Sequence, residues 1–168
     1  MRMIPLLPDV RDASPADAEA ICLIYNQGIV DRLATLETEP RTPAERAAWL
    51  AARGPRHPVI VAEADGRVVG WGSLNSFNPR PVYDHVADFS VYVERSWRGK
   101  GVGRVLLDAL VVKARALGYH KLVLAAFPFN EAGTRLYRKT GFREVGVYRE
   151  QGRVDGRWVD IVVMEKLL

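Results

Sequence analysis

The stretch SVYVERSWRGKGVGRVLLDAL, residues 90–110, restricts what this chain can become more than any other. A β-rich run from Val86 to Val93 passes into a turn where Gly99, Gly101 and Gly103 alternate with Lys100 and Val102, flanked by Arg98 and Arg104. The turn opens on a helix reading from Gly101 to about Leu117, with apolar residues at 102, 105, 106, 109, 110, 114 and 117 forming one stripe. Glycines permit left-handed dihedrals and close approach of a ligand. A helix start turns unpaired N–H groups and the positive end of its dipole toward the same point, which suits a pyrophosphate. The glycines alone are also served by a tight strand-to-helix turn with basic residues for solubility. Two nucleotide folds fail on spacing. A Walker A loop needs GxxxxGK followed by Ser or Thr, and in a dinucleotide fingerprint the third glycine comes one residue later than here.

The rest of the chain places this junction in a mixed α/β pattern. Leu6 to Arg11 reads as a first strand, and Ser14 with Pro15 opens a first helix running to about Gly28. Its apolar positions Ala18, Ile21, Cys22, Tyr25 and Ile29 recur at helical spacing, which makes Cys22 a small core residue. Thr42, Pro43 and Glu45 form a second start signal, for a helix carrying Trp49 and Leu50 and stopping near Gly54. VIVAEA and RVVGWGSL around Asp65-Gly66 predict a hairpin, residues 75–85 a connecting loop, and Lys121 to Phe127 a fifth strand. Asn130 caps a short helix ending near Thr140 with Gly141 beyond it, and two last strands flank Asp155-Gly156. The predicted order is β α α β β β α β α β β, without repeats, in one domain spanning residues 1–168.

Charge and composition narrow the partners. The 168 residues carry a formal net charge of +4, which favours an anionic ligand. The basic residues are dispersed among acidic ones rather than forming a nucleic-acid arm, so no nucleic-acid partner is expected. One cysteine excludes an intrachain disulfide and a Cys-cluster metal site. The amino end, interrupted by Pro5 and Pro8, is too short in apolar residues for a signal peptide, and no apolar run reaches the ~20 residues of a membrane span. A cytoplasmic protein with no membrane partner and no metal is the expectation.

Arg98, Gly101 and Gly103 resemble the acetyl-CoA loop of the GNAT superfamily of N-acetyltransferases, whose pattern is Gln or Arg, two residues, Gly, one residue, then Gly or Ala. A second block of that superfamily begins a helix with Asn and reads on into Leu-Tyr, a basic residue and Gly-Phe; NEAGTRLYRKTGF supplies Asn130, Leu136, Tyr137, Lys139, Gly141 and Phe142. Over nearly its whole length the chain resembles the phosphinothricin acetyltransferase group and its arsinothricin-resistance relatives, in IYNQGIVDRLATLETEPRTPAERAAWL, SFNPRPVYDHVADFSVYV and GRVDGRWVDIVVMEKLL. The resemblance implies a GNAT fold, α/β with a mostly antiparallel twisted sheet of about seven strands and flanking helices. It further implies acetyl-CoA as co-substrate, a small glutamate-like acceptor of the phosphinothricin, arsinothricin or methionine sulfoximine type, a homodimer and a setting in antibiotic resistance.

Residue roles follow from the chemistry. An ammonium has no lone pair for attack on a thioester, so a base or a water chain must take its proton. Asp88 is the first candidate, a carboxylate in an otherwise apolar strand where a charge is costly unless it faces a polar cleft. The resembling enzymes typically carry Glu there, one methylene longer, so Asp88 acts directly or through water; its other reading is a salt-bridged carboxylate on a solvated face. His85 has a suitable reference pKa of about 6.5 but falls on the opposite strand face from Asp88. It ranks as near the substrate at most. The resemblance gives Tyr137 the task of protonating the leaving thiolate, against ordinary aromatic packing on a helix. It assigns the backbone of Val91, Tyr92 and Val93 to the pantetheine arm, and residues 98–104 (Arg98, Gly99, Lys100, Gly101, Val102, Gly103, Arg104) with Asn130 to the rest of the cofactor. Arg80 and Tyr83 are candidates to hold the acidic group of the acceptor, or are plain surface. The group's histidine before the aspartate matching Asp160 is Val159 here, so that pair does not carry over. His57 and His120 receive no role. Two further readings remain, a peptide or protein N-acetyltransferase with an open groove and a non-catalytic acyl-CoA sensor.

Overall fold

The computed structural model describes residues 6–168; the part of the amino-terminal reading that falls on residues 1–5 lies outside them. The strands are β1 (Asp9–Asp12), β2 (Val59–Ala64), β3 (Arg67–Ser76), β4 (Val86–Val93), β5 (Lys121–Ala126), β6 (Arg143–Val154) and β7 (Arg157–Leu167). The helices are α1 (Ala18–Val30), α2 (Pro43–Ala51), α3 (Val102–Ala116) and α4 (Glu131–Lys139). They follow the order expected from the sequence. All seven strands join one sheet in the order β1-β2-β3-β4-β5-β7-β6, antiparallel throughout except for β4 beside β5. The fold is the mixed α/β, mostly antiparallel architecture that the resemblance implies.

Local chemistry explains the turns and most boundaries. Asp65 (φ 51°) and Gly66 (φ 72°), and again Asp155 (φ 49°) and Gly156 (φ 77°), adopt the paired left-handed conformations of a type I′ hairpin. Thr42 caps α2 by accepting from the Glu45 N–H at 3.2 Å, while the Glu45 carboxylate accepts from the Thr42 N–H at 2.7 Å. At the first helix start the polar work falls to Asp17. Its carboxylate accepts from the Ser14 N–H at 2.7 Å and from Arg11 at 2.8 Å, and a 3-10 turn over Pro15–Asp17 leads into α1. Two expectations are corrected. The first strand lies at Asp9–Asp12, not Leu6–Arg11, because its pairing with Ile60 to Glu63 of β2 begins only at Asp9. The loop of residues 75–85 is shorter than expected, because Asn75 and Ser76 continue β3 opposite Asp88 and Ala87.

The sheet is covered on both faces, so β2 reads as a continuous apolar run. Ile60 and Ala62 point to one side, with Leu74, Ala87 and Phe89, and pack against Leu106, Leu107 and Leu110 of α3. Val59 and Val61 point to the other, with Trp71, against Ile21, Ile24, Tyr25 and Ile29 of α1. Alternation along β4 therefore sends Ala87 and Phe89 into the α3 core and leaves Asp88, Ser90 and Tyr92 on the α1 face. Cys22 is buried in α1 and its thiol donates to the Arg41 carbonyl at 3.3 Å. No helix among the described residues is long and apolar enough to cross a membrane.

The seat of α3 on β3 depends on two small residues. A Cβ on Gly70 would lie 2.9 Å from Val102 Cγ1, and one on Gly72 would lie 3.0 Å from both Leu110 Cδ1 and the Ser90 carbonyl oxygen. Backbone cannot yield as a side-chain tip can, so Gly72→Val is expected to destabilise the protein by about 1–3 kcal/mol. Chemical denaturation checks this, and an unchanged midpoint would contradict the close-approach account.

Candidate active site

Parallel pairing between β4 and β5 lasts only from Val86 opposite Lys121 to Asp88 opposite Val123. Beyond Asp88 the two strands part, β4 continuing beside β3 and β5 beside β7. The remaining edge of β4, from Phe89 onward, has no strand on that side. Backbone N–H and C=O groups left open in this way are a template for an extended ligand.

The split opens into a groove of about 570 Å³ lined by Val91, Tyr92 and Val93 of β4, by Gly99, Gly101 and Gly103 of the turn, and by Asn130, Leu136 and Tyr137 at α4. Gly101 caps α3 at φ 88°, a left-handed conformation, and the first-turn N–H groups of α3 have no partner within the helix. Arg98, Arg104, Arg135 and Lys139 line the groove, and among the described residues no carboxylate does. A donor-rich turn ringed by four cations, leading to an open strand edge, fits a long ligand with phosphates at one end and amides along its length. Those are the features of coenzyme A.

Not every residue expected at the cofactor turns its side chain toward it. Val102 is 1% exposed and packs in the α3 core, so only its backbone is available to a ligand. Lys100 is exposed, with Nζ 5.4 Å from the Trp97 ring. Arg98 lines the groove, but its guanidinium donates to Asp31 at 2.6 Å and to the Val93 carbonyl at 3.3 Å, so it braces the turn against α1 and β4. Arg104 pairs with Asp108 at 2.9 Å. Asn130 Oδ1 accepts from the Gly133 N–H at 3.1 Å, making Asn130 the cap of α4.

Asp88 sits where the split begins. Burial pushes its carboxyl up to about 6, while hydrogen bonds from the Asn75 side chain and the Phe89 backbone pull it down. The Asn75 amide is fixed: Oδ1 accepts from Arg53 at 2.9 Å and from Ser73 at 3.0 Å, so Nδ2 is the donor, reaching Ser90 Oγ at 3.2 Å. Tyr137 packs edge-on against Phe89, with ring centroids 5.9 Å apart, and lines the groove. Burial first and the nearby Asp88 charge second push its phenol up to about 12, which keeps it protonated at neutral pH. Asp88 on β4 and Tyr137 on α4 thus lie within electrostatic reach of one another at the split.

On the α1 face beside this point lies a second cavity, of about 370 Å³, bounded by Trp71, Ser73 and Asn75 of β3, Ser90 and Tyr92 of β4, Tyr25 of α1, Arg46 and Trp49 of α2, and the charged Glu37, Arg41 and Glu45. Tyr92 lines both cavities. Of these residues only Tyr92 is a site candidate from sequence; Tyr25 and Trp49 read there as positions on the first two helices and Asn75 as part of a loop.

Arg80, Tyr83 and His85 are not brought to either cavity. Arg80 and Tyr83 flank a 3-10 turn, Pro81–Tyr83, where the Tyr83 ring packs edge-on against Phe77 at 5.6 Å. His85 is exposed, its ring 6.1 Å from that of His120 and its carbonyl accepting from the His120 and Lys121 N–H groups. As strand alternation predicts, it does not share the Asp88 face.

Known proteins agree with this geometry. Residues 26–142 match the profile of the acetyltransferase (GNAT) family. An L-methionine sulfoximine/L-methionine sulfone acetyltransferase of Pseudomonas aeruginosa is 37% identical over 158 residues, covering 93% of this chain and 92% of its own length. The crystal structure of a phosphinothricin acetyltransferase from Sinorhizobium meliloti in complex with AcCoA is similar at a TM-score of 0.91 and 31% identity, over 96% of this chain and 88% of that one. A ribosomal-protein-alanine N-acetyltransferase from Brucella melitensis is similar at a TM-score of 0.92 and 37% identity, over 95% and 99%. With the two sequence blocks, the open β4 edge and the cation-lined groove all in agreement, the chain belongs to the GNAT family of acetyltransferases.

Proposed function

We propose that this protein transfers the acetyl group of acetyl-CoA to the amine of a small amino-acid-like acceptor, of the phosphinothricin, arsinothricin or methionine sulfoximine type. The observation that carries the reading is the split after Asp88: a phosphate-suited groove and a second, partly polar cavity share Tyr92 beside it, and Asp88 lies within electrostatic reach of the Tyr137 phenol that lines the groove. Acetyl-CoA supplies an activated acyl group when bound. The protein's own residues do the rest. Residues 98–104 and Asn130 hold the phosphate end, and the open backbone of Val91 to Val93 pairs with the pantetheine arm, where an N–H can polarise the thioester carbonyl. Asp88, ionised above its raised pKa of about 6, takes the amine proton directly or through water. Tyr137, protonated at neutral pH, gives a proton to the departing thiolate.

The size of the second cavity, about 370 Å³, favours a free amino acid over a peptide. The peptide acceptor remains the second reading, because the name of the Brucella relative specifies a ribosomal protein alanine. Thiol release from acetyl-CoA with free amino acids and with amino-terminal peptides as rival acceptors separates the two. A sensor without turnover would release none with either. A homodimer is supported by the exposed Val145, Val147, Tyr148 and Trp158 of the β6–β7 hairpin, and a cytoplasmic location by a buried thiol with no disulfide partner.

Gly101→Val places a β-branched residue at φ 88° and is expected to weaken acetyl-CoA binding tenfold or more by calorimetry, with the far-ultraviolet dichroism preserved. Unchanged affinity would contradict the pyrophosphate assignment.

Asp88 generates two linked expectations. Parent activity should fall on the acid side with a limb near pH 6, and Asp88→Asn should lose on the order of a hundredfold at pH 7, recovering in part at higher pH as the amine deprotonates unaided. Because the folded-state pKa lies above the ordinary 3.8, ionisation of Asp88 removes stability as pH rises from 3.8 through about 6, and the cost persists above it. Asp88→Asn should therefore be more stable than the parent at pH 7–8, on the order of 1–3 kcal/mol, in parallel thermal and denaturant melts. A variant both fully active and no more stable would dismiss Asp88 from the site.

For Tyr137→Phe, turnover should drop at least tenfold with acetyl-CoA affinity changed by less than about threefold. Full activity would leave the phenol as packing alone.

A further inference from the structure

Arg46 is the buried group for which the mechanism above has no use. The residue is 7% exposed, and its guanidinium carbon lies 4.1 Å from the Tyr25 ring centroid, 4.7 Å from Trp49 and 5.9 Å from Trp71. Its Nε is buried with no hydrogen-bond partner, and among the described residues no carboxylate pairs with the guanidinium. Aromatic faces attract a cation but offer no lone pair in the plane of its N–H fork, so the donors remain unspent. The two carboxylates that share the cavity are committed elsewhere. Glu37 accepts from Arg41 at 2.9 Å, and Glu45 from the Thr42 N–H at 2.7 Å. A desolvated guanidinium with free donors, lining a cavity that also holds hydroxyls and an amide, is built to receive a planar or tetrahedral oxyanion.

We infer that Arg46 binds the anionic end of the acceptor's side chain, a carboxylate, phosphinate or arsinate, rather than its α-carboxylate. The inference rests on the acetyltransferase reading above and adds the recognising residue. The register bounds the span between the two rungs. Trp71 pairs with Tyr92, Ser73 with Ser90 and Asn75 with Asp88, so the cavity runs from the Trp71 rung, beside Arg46, to the Asp88 rung where the amine loses its proton. Four residues of strand span roughly 13 Å. Two hydrogen bonds of about 3 Å each leave about 7 Å. In an extended glutamate-like molecule about five bonds, roughly 6 Å, separate the amine from the terminal acid, whereas the α-carboxylate is too close to its own amine to reach.

The test measures steady-state kinetics for phosphinothricin, whose side chain ends in an anion, and for L-methionine sulfone, whose side chain is neutral. Both present the same α-amino and α-carboxylate groups. Arg46→Met should raise the ratio of the KM for phosphinothricin to that for methionine sulfone tenfold to a hundredfold, the range of a charge-assisted hydrogen bond. Arg46→Lys, which keeps the charge but not the fork, should fall between and serves as the second reading if the methionine variant folds poorly. Equal loss on both acceptors would overturn the inference in favour of an α-carboxylate or packing role. A selective loss on Arg80→Ala with none on Arg46→Met or Arg46→Lys would overturn it in favour of the exposed loop. If the parent binds acetyl-CoA yet acetylates neither acceptor, the acceptor reading itself falls, and this inference with it.

Discussion

A parallel strand pair that lasts three residues and then parts is the constraint on which the rest of the molecule depends. A strand in mid-sheet normally has both edges satisfied, and leaving one open is costly unless a ligand or water meets it. Here the antiparallel pairing of β4 with β3 runs unbroken from Ala87 to Val93, and that of β5 with β7 from Lys121 to Ala126, so each partner is rigid on its far side. Alternation then does two things at once, sending Phe89 into the α3 core and leaving Asp88 on the opposite face with Ser90, which lines the second cavity.

The electrostatics of the junction follow from burial more than from paired charges. Among the described residues no cation stands against Asp88, and its stabilising contacts are an amide and a backbone N–H, which hold the carboxylate without neutralising its basicity. An arginine in place of Asn75 would lower the pKa and make a poorer base. The arginine that is present, Arg53, stands one residue back, donating to Asn75 Oδ1 and to the Leu74 carbonyl while its guanidinium lies 4.6 Å from the Trp49 ring. Positive charge thus orients the amide rather than the acid. The cost is borne by stability, which is the usual exchange at sites that must keep a group away from its preferred protonation.

Element order, the two Asp-Gly hairpins, the glycine turn at α3 and the Asn130 cap were all legible in the sequence, because each depends on short-range chemistry such as a period, a capping side chain or a residue able to adopt positive φ. Asp88 was legible for a related reason, as a charge interrupting an apolar strand. Arg46, Trp49, Trp71 and Asn75 were not, since their cavity exists only when α2 is laid across β3 and β4, and nothing local marks an arginine on a short helix as buried. Arg80 and Tyr83 drew attention by proximity along the chain to Asp88, yet the 3-10 turn carries them outward. Likewise Arg98 matched a motif by type, while its partner Asp31 lies at the far end of α1 and could be found only in three dimensions.

That last contact bears on how the two cavities stay in register. Helix α1 contributes Ile24 and Gly28 to the cofactor groove and Tyr25 to the acceptor cavity, so one element walls both. Its end is fastened to the segment between β4 and the glycine turn at several points. Gln27 donates to Glu94 at 3.1 Å and accepts from the Arg95 N–H at 2.9 Å, and Asp31 receives Arg95 at 2.7 Å and Arg98 at 2.6 Å. The two guanidinium groups, Arg95 first, hold the Asp31 carboxyl below the ordinary range, so the clasp stays charged at physiological pH. Exposed ion pairs of this kind add little stability one at a time. Their effect here is geometric: both arginines belong to the segment that positions the α3 amides, and both are referred to the same helix that carries Tyr25. A displacement of the glycine turn would have to move the Tyr25 wall of the second cavity with it, which holds the two cavities in one register.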